Sequence, residues 1–74
     1  MRDFSEVLRE LRAEKGVSQK TLGNLLGITD RNIRFYENAS HRPDFDGLLL
    51  LADYFGVSLD YLVGRTDQRE INRS

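Results

Sequence analysis

The 74-residue sequence has no cysteine, no tryptophan and a single proline. Without cysteine the chain has neither a disulfide framework nor a thiolate zinc site, so its stability has to come from packing or oligomerisation. The longest wholly apolar run, Leu48 to Ala52, has five residues, whereas a membrane-spanning helix needs about 20. Arg2 and Asp3 lead into no apolar stretch, so we predict no secretory signal. We expect one small cytoplasmic domain.

Charge is unevenly distributed along the chain, although the formal net charge is only −1. Residues 1–42 contain eight lysines and arginines against six acids, a net charge of +2. From residue 43 onward three arginines face six acids, a net charge of −3. The first part is therefore the predicted electrostatic contact region for a polyanion such as DNA.

Apolar residues recur at helical spacing and no segment alternates with period two, which predicts an all-α domain. A glycine, an aliphatic residue and a hydroxyl residue follow one another at 16–18, 27–29 and 56–58. Such a glycine ends one helix in the left-handed conformation, and the hydroxyl caps the next helix. Asp3 with Glu6 predicts a capping box, and Asp44 caps a later helix. We predict helices at 4–15, 19–26, 30–38, 45–55 and 59–63.

The last ten residues differ from the rest, because Ile71 is their one strongly apolar side chain. We expect this end to be frayed or to begin a linker. We therefore assign residues 1–66 to the domain and residues 67–74 to a C-terminal tail or linker.

The second and third predicted helices are separated by three residues, 27–29, which forces a sharp angle between them. That connection predicts a helix-turn-helix. Gly23 falls where the two helices meet, so we interpret it as allowing close approach. The alternative is a tolerated helix defect that costs ~1 kcal/mol against alanine.

Several segments of the sequence resemble one family. The similarity is to Cro/repressor-type helix-turn-helix proteins of the XRE family, and it is carried by residues 19–23, 27–29, Ile33 and 36–38, followed by Pro43 and the run 51–62. The resemblance covers about residues 4–66. It implies a five-helix, lambda-repressor-like DNA-binding domain with the helix-turn-helix at helices 2 and 3. It also implies a symmetric dimer with helix 3 in the major groove.

The face of helix 3 opposite Ile33 carries the candidate base-reading residues. Arg31 and Arg34 are suited to guanine edges or phosphates, and Asn32 to a phosphate or an adenine. Asp30 accepts from cytosine, orients Arg31, or favours the positive helix N-terminus. Phe35 either meets a thymine methyl or packs on a loop or a partner subunit.

The resemblance and the charge pattern complete the predicted DNA contacts. Gln19 resembles the family glutamine that reaches phosphate and the recognition helix, and we include it among the base-reading residues. His41 is a weaker phosphate candidate, because a lone loop histidine is more often solvated. The predicted phosphate contacts are Arg12, Ser18, Lys20, Asn32, Asn38 and Arg42.

Three further expectations concern structure rather than direct contact with DNA. Arg12 and Glu37 each fall on an apolar helix face, so we expect them to pair between helices 1 and 3; the family has the same pair. Asn38 is expected to take the left-handed conformation where relatives often have glycine at residue 39. Leu50 is an apolar residue on the outer side of helix 4, which suggests a dimer or partner contact.

Three functions compete at this point. The favoured one is a transcriptional regulator, most often a repressor, that binds an inverted repeat in double-stranded DNA as a homodimer. The second is a protein-interaction module, such as an antitoxin or anti-repressor partner. An enzyme is disfavoured because no catalytic pair or phosphate loop has meaningful spacing. We expect no metal, no cofactor, no small-molecule ligand and no membrane partner.

Overall fold

The computed structural model describes residues 2–70 and folds them into helices without a strand. Five helices are present in this range: α1 Phe4–Lys15, α2 Gln19–Leu26, α3 Asp30–Glu37, α4 Phe45–Phe55 and α5 Leu59–Leu62. The all-α prediction is confirmed, and each helix bound agrees with its predicted position to within one residue. Within the same range, every helix is too short or too polar to cross a membrane. Ile71 lies outside the described residues.

As predicted, each repeated triplet ends one helix and begins the next. Its glycines end α1, α2 and α4 in the left-handed conformation, with φ between 67° and 71°. Its hydroxyls accept from the backbone N–H three residues later and so cap α2, α3 and α5. Asp44 caps α4 in the same way through the N–H of Gly47, at 2.8 Å. These local signals therefore fix where the helices begin and end.

The capping box predicted for α1 is wrong. Asp3 is the N-cap residue, but its side chain accepts no hydrogen bond from the backbone of α1. Its carboxylate accepts instead from the hydroxyl of Ser5, at 2.9 Å. A nearby side-chain donor has therefore taken the place of the backbone donor at this short carboxylate.

The core takes at least one fully buried side chain from every helix: Val7 and Leu8 from α1, then Leu22, Ile33, Leu51 and Leu62. The aliphatic residues of the three triplets pack against the same cluster. Each of these three connections is thus anchored in the core by its middle residue. Burial of one such leucine contributes roughly 1.5–3 kcal/mol.

Gly23 lets α2 approach the turn that follows it. A Cβ at this position would lie 2.8 Å from the carbonyl oxygen of Ile28 and 3.1–3.2 Å from backbone atoms of Thr29 and Asp30. Backbone cannot yield as a flexible side chain can. The interpretation of Gly23 as a close-approach residue is confirmed.

The first part of the expected C-terminal tail is held against the domain by Arg69. Its guanidinium donates to both carboxylate oxygens of Glu14, at 2.8 and 2.7 Å, and to the hydroxyl of Tyr61, at 3.1 Å. Its carbonyl oxygen accepts from the N–H of Ser58, at 2.8 Å. The hydrogen bond from Arg69 lowers the pKa of Glu14. Residues up to Arg69 are thereby attached to α1 and α5, whereas residues 71–74 lie outside the described range.

The expected left-handed conformation of Asn38 is wrong. Asn38 has φ −102°, and Ala39 has φ +67° instead. The N–H groups of Ala39 and Ser40 donate to the carbonyl oxygens of Tyr36 and Phe35, at 3.4 and 3.0 Å. This pattern is a Schellman motif, which requires the left-handed residue one position after the cap. Hydrogen bonding, rather than residue preference, has selected Ala39.

Strain at Ala39 predicts that Ala39→Gly stabilises the protein. The left-handed conformation costs a residue with a Cβ about 1–2 kcal/mol, and substitution by glycine removes that cost. The gain is partly offset by the extra freedom of glycine in the unfolded chain. We expect a net gain of about 0.5 kcal/mol and a rise in Tm of about 2–4 °C, measured by circular dichroism. The control Ala13→Gly, in the last turn of α1, should instead lose up to about 1 kcal/mol. A Tm for Ala39→Gly at or below the wild-type value would contradict the strain argument.

Candidate nucleic-acid interface

The connection between α2 and α3 is rigid and short. The N–H of Ile28 donates to the carbonyl oxygen of Gly23, at 2.8 Å, and the hydroxyl of Thr29 accepts from the N–H of Asn32, at 3.3 Å. Ile33 is fully buried and fixes the inner side of α3. The opposite side of this two-turn helix therefore faces solvent.

The outer side of α3 brings together the residues predicted to read bases. Asp30, Arg31 and Arg34 are exposed, whereas Asn32 and Phe35 are partly buried. Asp30 is the first residue of the helix, where a carboxylate interacts favourably with the helix dipole. Two arginines and few apolar groups make this face better suited to base edges and phosphates than to core packing. The individual DNA contacts stay predictions.

Elements beside α3 hold the predicted phosphate contacts. Lys20, Asn38 and Arg42 are exposed, whereas the hydroxyl of Ser18 is engaged in capping α2 and lies 3.0 Å from the hydroxyl of Thr21. An open groove of about 460 Å³ separates the start of α2 from the start of α3. Its lining residues are Lys20, Asn24, Ile28, Thr29 and Asp30.

The buried carboxylate of Glu37, on the inner side of α3, accepts hydrogen bonds from side chains of α1 and α2. The Glu37 side chain is only 7% exposed and accepts from Arg12 Nε at 2.6 Å and Nη2 at 3.2 Å. Gln19 at the start of α2 donates to the same carboxylate at 2.9 Å. Arg12 also donates through Nη1 to the carbonyl oxygen of Val17, at 3.1 Å. The Arg12–Glu37–Gln19 network thus fixes α3 against α1 and α2.

Gln19 and Arg12 have partners inside the protein as well as predicted contacts with DNA. The amide nitrogen of Gln19 is turned toward Glu37, so its amide is oriented before any DNA contact. All three nitrogens of the Arg12 guanidinium donate within the domain, and its side chain is 27% exposed. Any phosphate contact of Arg12 is therefore made by a group that already holds the fold together.

Phe35 packs on the loop that follows its own helix, one of the arrangements expected for it. Its ring stacks on His41 with the centroids 4.9 Å apart and the planes inclined by 28°. Sequence reasoning named a loop as one alternative but did not identify His41 as the partner, because nothing in the pattern indicates how the loop folds back. The available signal was an aromatic residue on the polar side of a short helix.

Apolar groups are exposed on α4. Leu50 is 45% exposed, Leu49 39% and Phe45 64%. Leu50 borders a groove between α4 and the α2–α3 unit, together with Leu26 and Tyr36. Phe45 and Leu49, one turn apart, lie on the other flank of the helix. Sequence reasoning selected Leu50 and missed Phe45.

The geometry thus defines a helix-turn-helix domain, and comparison with known proteins agrees. The family model described as helix-turn-helix matches residues 8–62. The HTH-type transcriptional regulator ImmR of Bacillus subtilis is 36% identical over 67 residues, which are 90% of this chain and 53% of that protein. The chain spans about half the length of the curated relatives that it matches.

Solved structures are similar as well. A transcriptional regulator from Listeria innocua superposes with a TM-score of 0.83 at 33% identity, covering 89% of this chain and 62% of that one. The P22 c2 repressor, solved with a synthetic operator, gives a TM-score of 0.81 at 26% identity and covers 89% and 100%. The chain belongs to the XRE-type helix-turn-helix family. These relatives are transcriptional regulators rather than enzymes.

Because of the buried network, we predict that removing the charge of Arg12 lowers the unfolding free energy more than removing the charge of Glu37 does. Arg12→Met leaves the Glu37 carboxylate buried with Gln19 as its remaining partner, so we expect a loss of about 3 kcal/mol in unfolding free energy. Glu37→Gln should cost less, because a neutral amide is cheaper to bury and Arg12 keeps some access to water. Urea denaturation measures both losses.

Arg9→Met is the matched control, because Arg9 is an exposed arginine on the same helix. Its effect should stay within about 0.5 kcal/mol. Equal stabilities for Arg12→Met and Arg9→Met would contradict the structural role of the network.

Proposed function

We propose that this chain is the DNA-binding domain of a transcriptional repressor and that it inserts α3 into the major groove. The observation that carries this proposal is the outer face of α3. That face is polar, bears two arginines, and is held by a network of buried hydrogen bonds on the opposite side of the helix. A preorganised donor face is what direct readout of base edges requires.

The proposed contacts divide into two groups. Arg31 and Arg34 contact bases through guanine edges, with Asp30, Phe35 and Gln19 beside them. The phosphates of the two strands are contacted by the groups that surround α3, namely Arg12, Ser18, Lys20, Asn32, Asn38 and Arg42. The excess of basic residues in the first part of the chain supports this orientation.

The repressor role is supported by the similarity to the P22 c2 repressor, whose structure contains an operator. We propose that two copies bind an inverted repeat, with the recognition helices addressing half-sites about 10 base pairs apart. Leu50 was the interface residue proposed from sequence. Phe45 is the more exposed side chain, and it follows α3 by only eight residues, so it is an equally concrete candidate.

Selection from randomised duplex DNA, performed at 50 and 200 mM salt, tests the function. We expect one palindromic motif and a loss of affinity of at least about tenfold between the two salt concentrations. Arg31→Ala should relax preference at one base pair, whereas Lys20→Ala should weaken all duplexes similarly and flatten the salt dependence. Recovery of no motif would contradict the proposal and favour a protein-interaction module instead.

The dimer is tested on the recovered duplex by comparing Phe45→Glu with Leu50→Glu. A carboxylate at the true interface should abolish cooperative occupation of the two half-sites while the affinity for one isolated half-site persists. Leu25→Glu, at a leucine that is 37% exposed on α2, is the control and should leave cooperativity intact. If both α4 variants bind the full site as the wild type does, the dimer does not use α4.

A further inference from the structure

Phe35 is partly buried, although it lies on the side of α3 that faces away from the hydrophobic core of the domain. The position is about 200° around the helix from fully buried Ile33, taking 100° per residue, and it follows Arg31 by one turn. The described partner of its ring is His41, which stacks on it at 4.9 Å. The loop after α3 has therefore folded back onto the face that carries the arginines.

The backbone holds this loop at the same residue. The carbonyl oxygen of Phe35 accepts from the N–H of Ser40 at 3.0 Å and from the N–H of His41 at 3.2 Å. The side chain of Asn38 accepts a further hydrogen bond from the N–H of Ser40, at 2.9 Å. Both the main chain and the imidazole ring of His41 are thus fixed relative to α3. Little conformational freedom remains to be lost when the ring contacts a ligand.

The stack is suited to a phosphate of the DNA backbone. In the proposed orientation the N-terminal residues of α3 face base edges, which places the end of the helix after Arg34 and the following loop toward the strand that flanks the groove. Exposed Asn38 and Arg42 belong to the same segment. Imidazole carries at least one N–H in every protonation state, and phosphate oxygens accept such donors.

We propose that Phe35 is a positioning residue: its ring orients His41, and the His41 imidazole donates a hydrogen bond to one DNA phosphate in each half-site. The inference rests on the proposed function, because it requires that α3 faces DNA. It assigns to Phe35 a role different from contact with a thymine methyl. It also makes His41 a DNA-binding residue that the sequence marks only weakly.

A double-mutant cycle tests whether the two side chains act as one unit. On the duplex recovered by selection, Phe35→Ala and His41→Ala should each weaken binding about fivefold to tenfold. The double variant should bind no more weakly than either single variant. Phe35→Tyr, which keeps the stack, should bind as the wild type does. His41→Phe keeps the stack but lacks the N–H, so it should resemble His41→Ala.

Modified duplexes identify the atom that is contacted. Methylphosphonates are placed at one backbone position at a time. At a single position, that of the phosphate contacted by His41, the substitution should weaken binding by the wild type but leave binding by His41→Phe unchanged. Replacing each thymine by deoxyuracil removes the methyl group and should not reproduce the loss seen for Phe35→Ala. Thermal melts of every variant check the fold, and Phe35→Leu replaces Phe35→Ala if the latter unfolds.

Three results would overturn this inference while leaving the proposed function intact. The first is a set of additive losses in the cycle, and the second is that all variants bind as the wild type does. The third is a Phe35→Ala loss that follows a single thymine methyl and persists in the His41→Ala background. If the wild-type chain recovers no motif, the proposed function fails first, and this inference fails with it.

Discussion

A single buried carboxylate determines where α3 lies. Glu37 is almost inaccessible to solvent, yet it is fully hydrogen-bonded by Arg12 from α1 and Gln19 from α2. An unpaired charge at this position would cost several kcal/mol, so the fold keeps all three helices in one arrangement. The only described residue with this combination of charge and deep burial is Glu37.

The importance of that network follows from the size of α3. An isolated helix of eight residues is unstable in water, and only Ile33 and Glu37 of α3 are buried. The helix therefore depends on one apolar anchor and one polar anchor on its inner side. Its outer side is consequently free to carry residues chosen for chemistry rather than for packing.

Helix bounds set by capping residues were predictable from the sequence, whereas the outcome of competing hydrogen bonds and the path of a loop were not. The repeated triplet predicts the helix bounds, because capping depends on residues three apart. Two local predictions failed because several donors compete for one acceptor. Asp3 accepts from the hydroxyl of Ser5 rather than from the backbone, and Ala39 rather than Asn38 is left-handed, so residue preference alone gave the wrong answer. The stack of His41 on Phe35 and the exposure of Phe45 require knowledge of how residues 38–44 turn.

The most direct test of the account is the pattern of backbone amide chemical-shift changes when the selected duplex is added to the protein. We predict that the largest changes fall at residues 18–20, at 29–35 and at 38–42, with the side-chain amide of Gln19 among them. The core residues of α5 should change little. Changes concentrated on α4 and α5, with α3 unaffected, would contradict the assignment of α3 as the helix that enters the major groove.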